Sequence, residues 1–441
     1  MNRAADNALG IYVSVPFCRS KCTYCNFASR VYPASEHARY VERVIEDLAG
    51  AKAWAASLGA ELPRRVDTVY LGGGTPTLLA SDLLAKLFAA MRAEFSLDAD
   101  AEITVECAPG QLADATLQAM VTAGVNRASL GVQSFVDGEA RASGRLHDRA
   151  TVEADLQRLR AAGITNLNVD LIAGLAGQTF ASWEESLAAL AGSGVPHASV
   201  YMLEVDEDSR LGREVLAGGS RYRAGLVPND DAIARMYERA IERLEAAGLC
   251  QYEISNFCLP DFYSRHNLRY WERRPYLGVG LDASSMLLSD PTLAPKLHGR
   301  VIAEDVAPVS RPAVVRASSP APVVSRSPLG RSTCDSVLRT TTTNDLQTYL
   351  AGTGTMETSL LGPAQQHEEA WFLGLRTNAG VDVDALRAEF GKELLDPALE
   401  TVARLATDEL LVFDGAHARL TARGRMISNE VFQEFLQPEI A

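Results

Sequence analysis

Three cysteines crowd near the start of the chain, in Cys18-Arg19-Ser20-Lys21-Cys22-Thr23-Tyr24-Cys25, a C-x3-C-x2-C spacing. Three thiolates on one short turning loop can each hold one iron of a cubane cluster and leave the fourth iron without a protein sulfur. Such an iron accepts an external bidentate ligand. Soft thiolates favour iron–sulfur clusters or zinc over hard cations. Structural zinc is the competing use, because three cysteines and a histidine make a common tetrahedral site. The nearest histidine, His37, falls at the start of a predicted helix, so a local fourth ligand is not evident. The chain has seven cysteines in all. An odd count with three together argues for metal chemistry in a reducing compartment rather than a disulfide framework. Cys107, Cys250 and Cys258 read as small buried hydrophobes near strand ends.

The elements that must position this loop alternate regularly. GIYVSVPF at 10–17 reads as a strand that ends just before Cys18, and 35–56 carries Tyr40, Val41, Val44, Ile45 and Leu48 on one helical stripe. Further strands are predicted at 66–71, 101–107, 126–132, 166–172 and 197–203, with helical patterns between them. Strands alternating with helices of this length require right-handed crossovers and a parallel sheet. Six such units suit an α/β fold of the open or partial (β/α)6 barrel kind. Working groups in parallel sheets collect beyond the carboxyl ends of the strands. Cys18, the turn Gly72-Gly73-Gly74-Thr75-Pro76, Glu106, Gln133 and Asp170 all fall there. Each alone is an ordinary turn residue or strand-end cap; their shared polarity is the reason to read them as one site.

Composition narrows the function class. The chain has 441 residues, 47% hydrophobic and 22% charged, with a formal net charge of −14, which fits a globular protein of a barrel-sized domain plus smaller units. That charge argues against general attraction to nucleic acid or anionic lipid. No apolar run reaches membrane-spanning length, and the start MNRAADNALG lacks the apolar core of a secretory signal. A cytoplasmic location is the expectation. Residues 289–340, rich in Pro, Ser, Ala and Arg, read as an exposed or partly disordered insertion. Beyond Gln365, helices are expected in EEAWFLGLR, VDALRAEFG and LETVARLATD, then a short hairpin and a closing helix, an arrangement resembling a winged helix. In so acidic a chain this unit is a packing or partner module rather than a DNA reader. The expected divisions are 1–250, 251–288, 289–340 and 341–441.

The cysteine spacing, with Tyr24 before the last cysteine, resembles the signature of the radical S-adenosylmethionine superfamily. Its context, GIYVSVPFCRSKCTYCNFAS, is similar to oxygen-independent coproporphyrinogen III oxidase and especially to the heme-chaperone, HemW-like branch related to it. The resemblance implies a TIM-like partial barrel with a [4Fe–4S] cluster on Cys18, Cys22 and Cys25. It also implies S-adenosylmethionine chelating the open iron, with electron transfer from the cluster yielding a 5′-deoxyadenosyl radical. The turn Gly73-Gly74-Thr75 resembles the family's glycine turn at the methionine end of the cofactor, and Glu106 its carboxylate on the amino group. Gln133 and Arg145 resemble cofactor-orienting residues, Asp170 a residue near the ribose or adenosine, and Tyr12 an aromatic near cofactor and substrate. These roles make chemical sense, since a carboxylate pairs with an ammonium and an arginine orients a carboxylate.

Two readings diverge after Cys25. The oxidase pattern carries another cysteine two positions further on, where this chain has Asn26-Phe27. His266-Asn267-Leu268-Arg269-Tyr270-Trp271 matches the H-N-x-x-Y-W pattern of the heme-chaperone relatives. The resemblance then implies heme as cargo, with His266 the candidate heme ligand beside its alternative as a satisfied structural histidine. It implies an acceptor hemoprotein, of the respiratory kind, and peripheral association with the inner face of the membrane without a span. Leu281-Asp282, in YLGVGLDASSML, departs from the small-residue pattern expected near the barrel mouth. The catalytic residues and the choice between monomer and dimer stay open. The alternative function is radical decarboxylation of coproporphyrinogen III to protoporphyrinogen IX.

Overall fold

A computed structural model describes residues 8–289, 336–354 and 356–436. Its first half runs β1 (Leu9–Val15), α1 (Ser35–Ser57), β2 (Arg65–Gly73), α2 (Ser81–Glu94), β3 (Ser96–Cys107), α3 (Asp114–Thr122), β4 (Arg127–Gln133), α4 (Asp137–Ala142), α5 (Arg149–Ala161), β5 (Asn166–Ala173), α6 (Phe180–Ser193) and β6 (His197–Met202). Strands β1 to β6 pair in sequence order and all in parallel. They form a radical S-adenosylmethionine-type partial barrel that does not close. The alternation in β1 explains the layering: Leu9, Ile11, Val13 and Val15 are at most 1% exposed and face the helices. The intervening Gly10, Tyr12 and Ser14 face the barrel interior. Helix α1 buries Tyr40, Val41, Val44 and Leu48, the stripe expected, against that outer face, while Ile45 is only partly buried.

The chain continues with α7 (Arg210–Leu216), α8 (Asp230–Ala246), β7 (Cys250–Gln251), β8 (Asn256–Cys258), α9 (Arg265–Trp271), β9 (Tyr276–Val279) and β10 (Ser284–Ser289). Strand β8 pairs antiparallel to β6 at one flank of the barrel, and β9 pairs parallel to β1 at the other. Helix α9 packs beneath the starts of β1 to β3, where Arg269 meets Ala8 O and Asp67 and the first turn meets Glu102. Strand β10 pairs antiparallel with β11 (Ser336–Thr341), followed by α10 (Leu346–Ala351) and β12 (Glu357–Leu361). The insertion was expected to run through residue 340; the strand from Ser336 ends it earlier, because its alternating residues complete the flank of the twelve-stranded sheet. Most of the expected insertion, 290–335, lies outside the described residues.

The last part comprises α11 (Pro363–Leu375), β13 (Val381–Asp382), α12 (Val383–Thr407), β14 (Leu411–Phe413), β15 (His417–Leu420), α13 (Ala422–Met426) and α14 (Ser428–Gln433). Gly391, at φ 81°, breaks α12 into the two helices the pattern called for. The small β13-β15-β14 sheet and these helices make the helical, winged-helix-like unit. It has its own core around Trp371, Leu405, Leu411 and Val431, joined by Ile254 from the barrel side. Of the three cysteines outside the cysteine loop that were expected to be buried, Cys107 and Cys258 are, at 6% and 2% exposure. Cys250 is exposed, because β7 is the edge strand of the sheet.

Candidate functional site

The loop that carries the cysteines is closed at its neck. Cys18 N donates to Arg30 O at 3.0 Å and Arg30 N to Pro16 O at 2.9 Å. Its tip is tied to two other loops, by Thr23 N to Ser143 O at 2.9 Å and Leu211 N to Thr23 O at 2.7 Å. The three thiols are free. Two cations serve them: Lys21 Nζ donates to Cys25 Sγ at 3.4 Å and Arg145 Nη1 to Cys22 Sγ at 3.5 Å. Thiolates bound to a cluster would find positive charge at both positions. Burial pushes the Cys18 thiol up, and the hydroxyls of Ser29 and Thr75 act against that shift. Among the described residues no three His, Cys, Asp or Glu side chains converge on one metal-ion position.

Below the loop lies a chamber. Tyr12, Tyr70, Gly73, Glu106, Gln133 and Asp170 face the barrel interior and each keeps partial exposure. One layer further in, Thr68, Thr104, Arg127 and Asn168 are buried. The barrel is thus hollow at the cysteine end and solid at the other. Glu106 sits on the chamber wall, accepting from Tyr70 Oη at 3.0 Å and from Gly73 N at 3.1 Å. Its carboxyl is pushed up to about 7, first by burial and then by the neighbouring Asp170 charge. Asp170 accepts from Asn168 Nδ2 at 2.7 Å and Ser129 Oγ at 3.2 Å; burial raises it too. Two carboxylates held at such cost in one chamber favour a cationic ligand.

The glycine turn differs from what its sequence suggested. Gly74 N and Thr75 N donate to Val15 O and Phe17 O, each at 2.8 Å, so they zip the turn to the approach of the cysteine loop. A Cβ at position 74 would lie 2.7 Å from Phe17 O, which accounts for glycine there. Gly73, at φ +98°, offers its N–H to Glu106 instead. Gln133 adopts φ 71° at a register shift between β4 and β5. Non-glycine residues seldom adopt that conformation. Its buried Oε1 has no hydrogen-bond partner, a group awaiting a donor. Arg145 is less free than expected, bonded to Gly131 O as well as to Cys22. The donor set of three thiols, a polarised carboxylate and an orphaned amide oxygen fits a cluster with an amino-acid-bearing cofactor.

His266 is not at this mouth. It lies at the base of the barrel, 0% exposed, on α9. Its Nδ1 is 3.0 Å from Thr68 Oγ1 and its Nε2 is 2.9 Å from Tyr270 Oη. Burial, with the Arg269 and Arg127 charges, holds the imidazole well below its ordinary value. Both ring nitrogens have partners, so an axial bond to heme iron would first have to break these contacts. The rest of the motif is architectural as well. Glu102 accepts from the backbone N–H groups of Arg265 and His266, both at 3.0 Å, closing the start of α9. Arg269 is buried against Asp67, Ala8 O and Pro275 O, and Trp271 carries the Arg376 guanidinium 4.1 Å from its ring centre. The motif plugs the barrel and couples it to the terminal unit. Tyr70 and Ser129, which hold the two carboxylates, were missed; the alternation that turned Thr68, Tyr70 and Gly72 to one face was the available signal.

The model of the radical SAM superfamily matches residues 12–190, and that of the HemN C-terminal domain matches 361–427. The heme chaperone HemW of Lactococcus lactis is 29% identical over 97% of this chain and 97% of its own length. That of Escherichia coli is 34% identical over 62% of this chain and 69% of its own length. The chain belongs to the HemW family of radical SAM proteins. In fold, this HemW-family chain is similar to coproporphyrinogen III oxidase (HemN) from Escherichia coli, with a TM-score of 0.74 at 21% identity, over 98% of this chain and 91% of that one. Among the described residues no helix is long and apolar enough to cross a membrane.

Proposed function

We propose that this chain holds a [4Fe–4S] cluster on Cys18, Cys22 and Cys25, binds S-adenosylmethionine in the chamber below the cysteine loop, and delivers heme to an acceptor hemoprotein. The observation that carries the cofactor assignment is the convergence, at one barrel mouth, of three free thiols, the raised carboxyl of Glu106 and the unpaired Gln133 amide oxygen. Heme delivery rests on the relatives, which are named heme chaperones, and on Asn26-Phe27 standing where the oxidase pattern has a cysteine. When bound, the cluster supplies an iron open to amino and carboxylate donors and a source of one electron.

The chain's own residues do the holding. Glu106 takes the ammonium of the cofactor, exchanging a strained buried charge for a paired one. Lys21 and Arg145 place positive charge beside Cys25 and Cys22, and Gln133 accepts a hydrogen bond from the ligand. Tyr12 and Asp170 bound the chamber. Residues 1–250 are the cofactor-holding barrel and 251–288 an extension that supports it from below; of 341–441, the part from α11 onward is the terminal module, since β12 still pairs into the barrel sheet. The acceptor is a respiratory heme protein, met at the cytoplasmic face of the membrane.

Anaerobic reconstitution with iron and sulfide, followed by heme loading and exposure to an apo-hemoprotein, tests this. The expected result is about four irons per chain with a cubane spectrum, heme transfer to the acceptor, and loss of the cluster on substituting any of the three cysteines. One stable zinc per chain with no cubane spectrum would sink the cofactor assignment.

A further inference from the structure

A cavity of about 680 Å³ opens beside Cys25, between the end of the cysteine loop, α7 and the Asn344–Asp345 segment. Pockets of this size take a drug-sized or cofactor-sized ligand. Its charge is unlike that of the rest of the molecule. Lys21, Arg30, Arg210 and Arg213 line it against Asp208, Asp282 and Asp345, in a chain whose net charge is −14. Two of the cations are committed. Lys21 donates to Phe27 O at 2.5 Å, and Arg210 to Lys21 O while lying 5.3 Å from the Tyr222 ring centre. One of the acids is committed as well, since Asp345 caps α10 through Thr348 N at 2.8 Å.

Arg30 and Arg213 are different. Both are exposed, and among the described residues neither guanidinium makes a hydrogen bond or an ion pair. Both stand on fixed supports. The Arg30 backbone is bridged to Phe17 beside Cys18, and α7 is tied at Leu211 to the tip of the cysteine loop. Apolar surface adjoins them: Phe27 is 58% exposed and Val31 59%, and Tyr32 lines the same cavity. Guanidiniums without an ion pair, Arg30 standing near the Asp345 carboxylate, beside exposed aromatic surface match an amphipathic planar ligand that carries carboxylates on one edge.

We infer that this cavity is the cargo site, and that Arg30 and Arg213 hold the propionates of the porphyrin while Phe27 and Tyr32 meet its apolar body. The inference rests on the heme-carrying reading and adds to it where the cargo sits: at the cysteine end, not on His266. It also gives Phe27 a use at the position where the oxidase pattern has a cysteine.

The test is equilibrium titration of the full chain with hemin and with hemin dimethyl ester in the same detergent buffer. The wild type is compared with the Arg30→Ala/Arg213→Ala double variant and the corresponding double Lys variant. A charge-assisted bond to a carboxylate is worth about tenfold or more in affinity. The wild type should therefore prefer the free acid over the ester by about tenfold or more. The double Ala variant should lose that preference while binding the ester as the wild type does, and the Lys variant should recover part of it. A double Ala variant that keeps the full preference overturns the site. So does one that loses affinity for S-adenosylmethionine instead, because the arginines would then serve that cofactor's carboxylate. A wild type that binds neither compound overturns the heme-carrying reading itself.

Discussion

Glu106 is held against its own stability, and Glu106→Gln exposes this. In the ligand-free chain its carboxyl rises from 4.5 to about 7, with burial the first cause and the Asp170 charge the second. At about 1.4 kcal/mol per tenfold, that corresponds to about 3 kcal/mol of destabilisation when the group is ionised. Part of the side chain faces the open chamber, so solvent screening makes this an upper bound. The sign follows from proton binding. A carboxyl raised on folding is tolerated while protonated, below its unfolded value, and its cost grows as pH climbs from 4.5 through about 7. Glutamine is isosteric, and can accept from Gly73 N while donating to the Tyr70 oxygen. Urea unfolding without added S-adenosylmethionine should show Glu106→Gln more stable than wild type by about 1–3 kcal/mol at pH 8 and equal to it near pH 4.5. Calorimetric titration should show S-adenosylmethionine binding weakened by about tenfold or more. A variant less stable than wild type at pH 8 would refute the strained-carboxylate reasoning.

Other residues give further expectations. Wild-type affinity for S-adenosylmethionine should rise between pH 6 and pH 8, as Glu106 gives up its proton near 7, and the rise should be absent from Glu106→Gln; a flat wild-type profile would count against ammonium pairing at this residue. His266→Ala removes a fully buried ring with two hydrogen bonds and should cost about 2–4 kcal/mol in chemical denaturation without changing the heme absorption spectrum; a changed axial signature would restore it as the ligand. Arg269→Met leaves Asp67 buried with Arg274 as its remaining ion-pair partner. It should lower unfolding stability by about 3 kcal/mol or more; a loss under about 1 kcal/mol would refute the plug. Breaking the bidentate Arg273–Glu389 pair, at 3.0 and 2.7 Å, with Glu389→Ala should make protease cleavage between the barrel and terminal unit faster; an unchanged rate would mean that the pair does not couple them.

The barrel was legible because its strands and helices announce their periods. The polar residues at the strand ends could be read as one site because a parallel sheet sends all its carboxyl ends to one side. What the sequence hid depends on tertiary closure. His266 and Arg269 look like functional groups in an aromatic motif, but β8 and β9 pair at opposite flanks, and this alone places α9 under the barrel. The β10–β11 hairpin is interrupted by 46 residues outside the described structure, so no local turn marks its register. Arg145 was recognised by type, yet its bonds run to Gly131 and Cys22, partners that no spacing predicts. Arg30 and Arg213 carry no motif at all; only the cavity singles them out.

On the proposed function, the radical-type barrel serves heme delivery and not porphyrinogen decarboxylation. The direct test incubates the reconstituted protein with reductant, S-adenosylmethionine and coproporphyrinogen III, and follows heme transfer to an apo-hemoprotein in parallel. Transfer of heme with no vinyl porphyrinogen formed is the predicted result. Turnover of coproporphyrinogen III to protoporphyrinogen IX would contradict it.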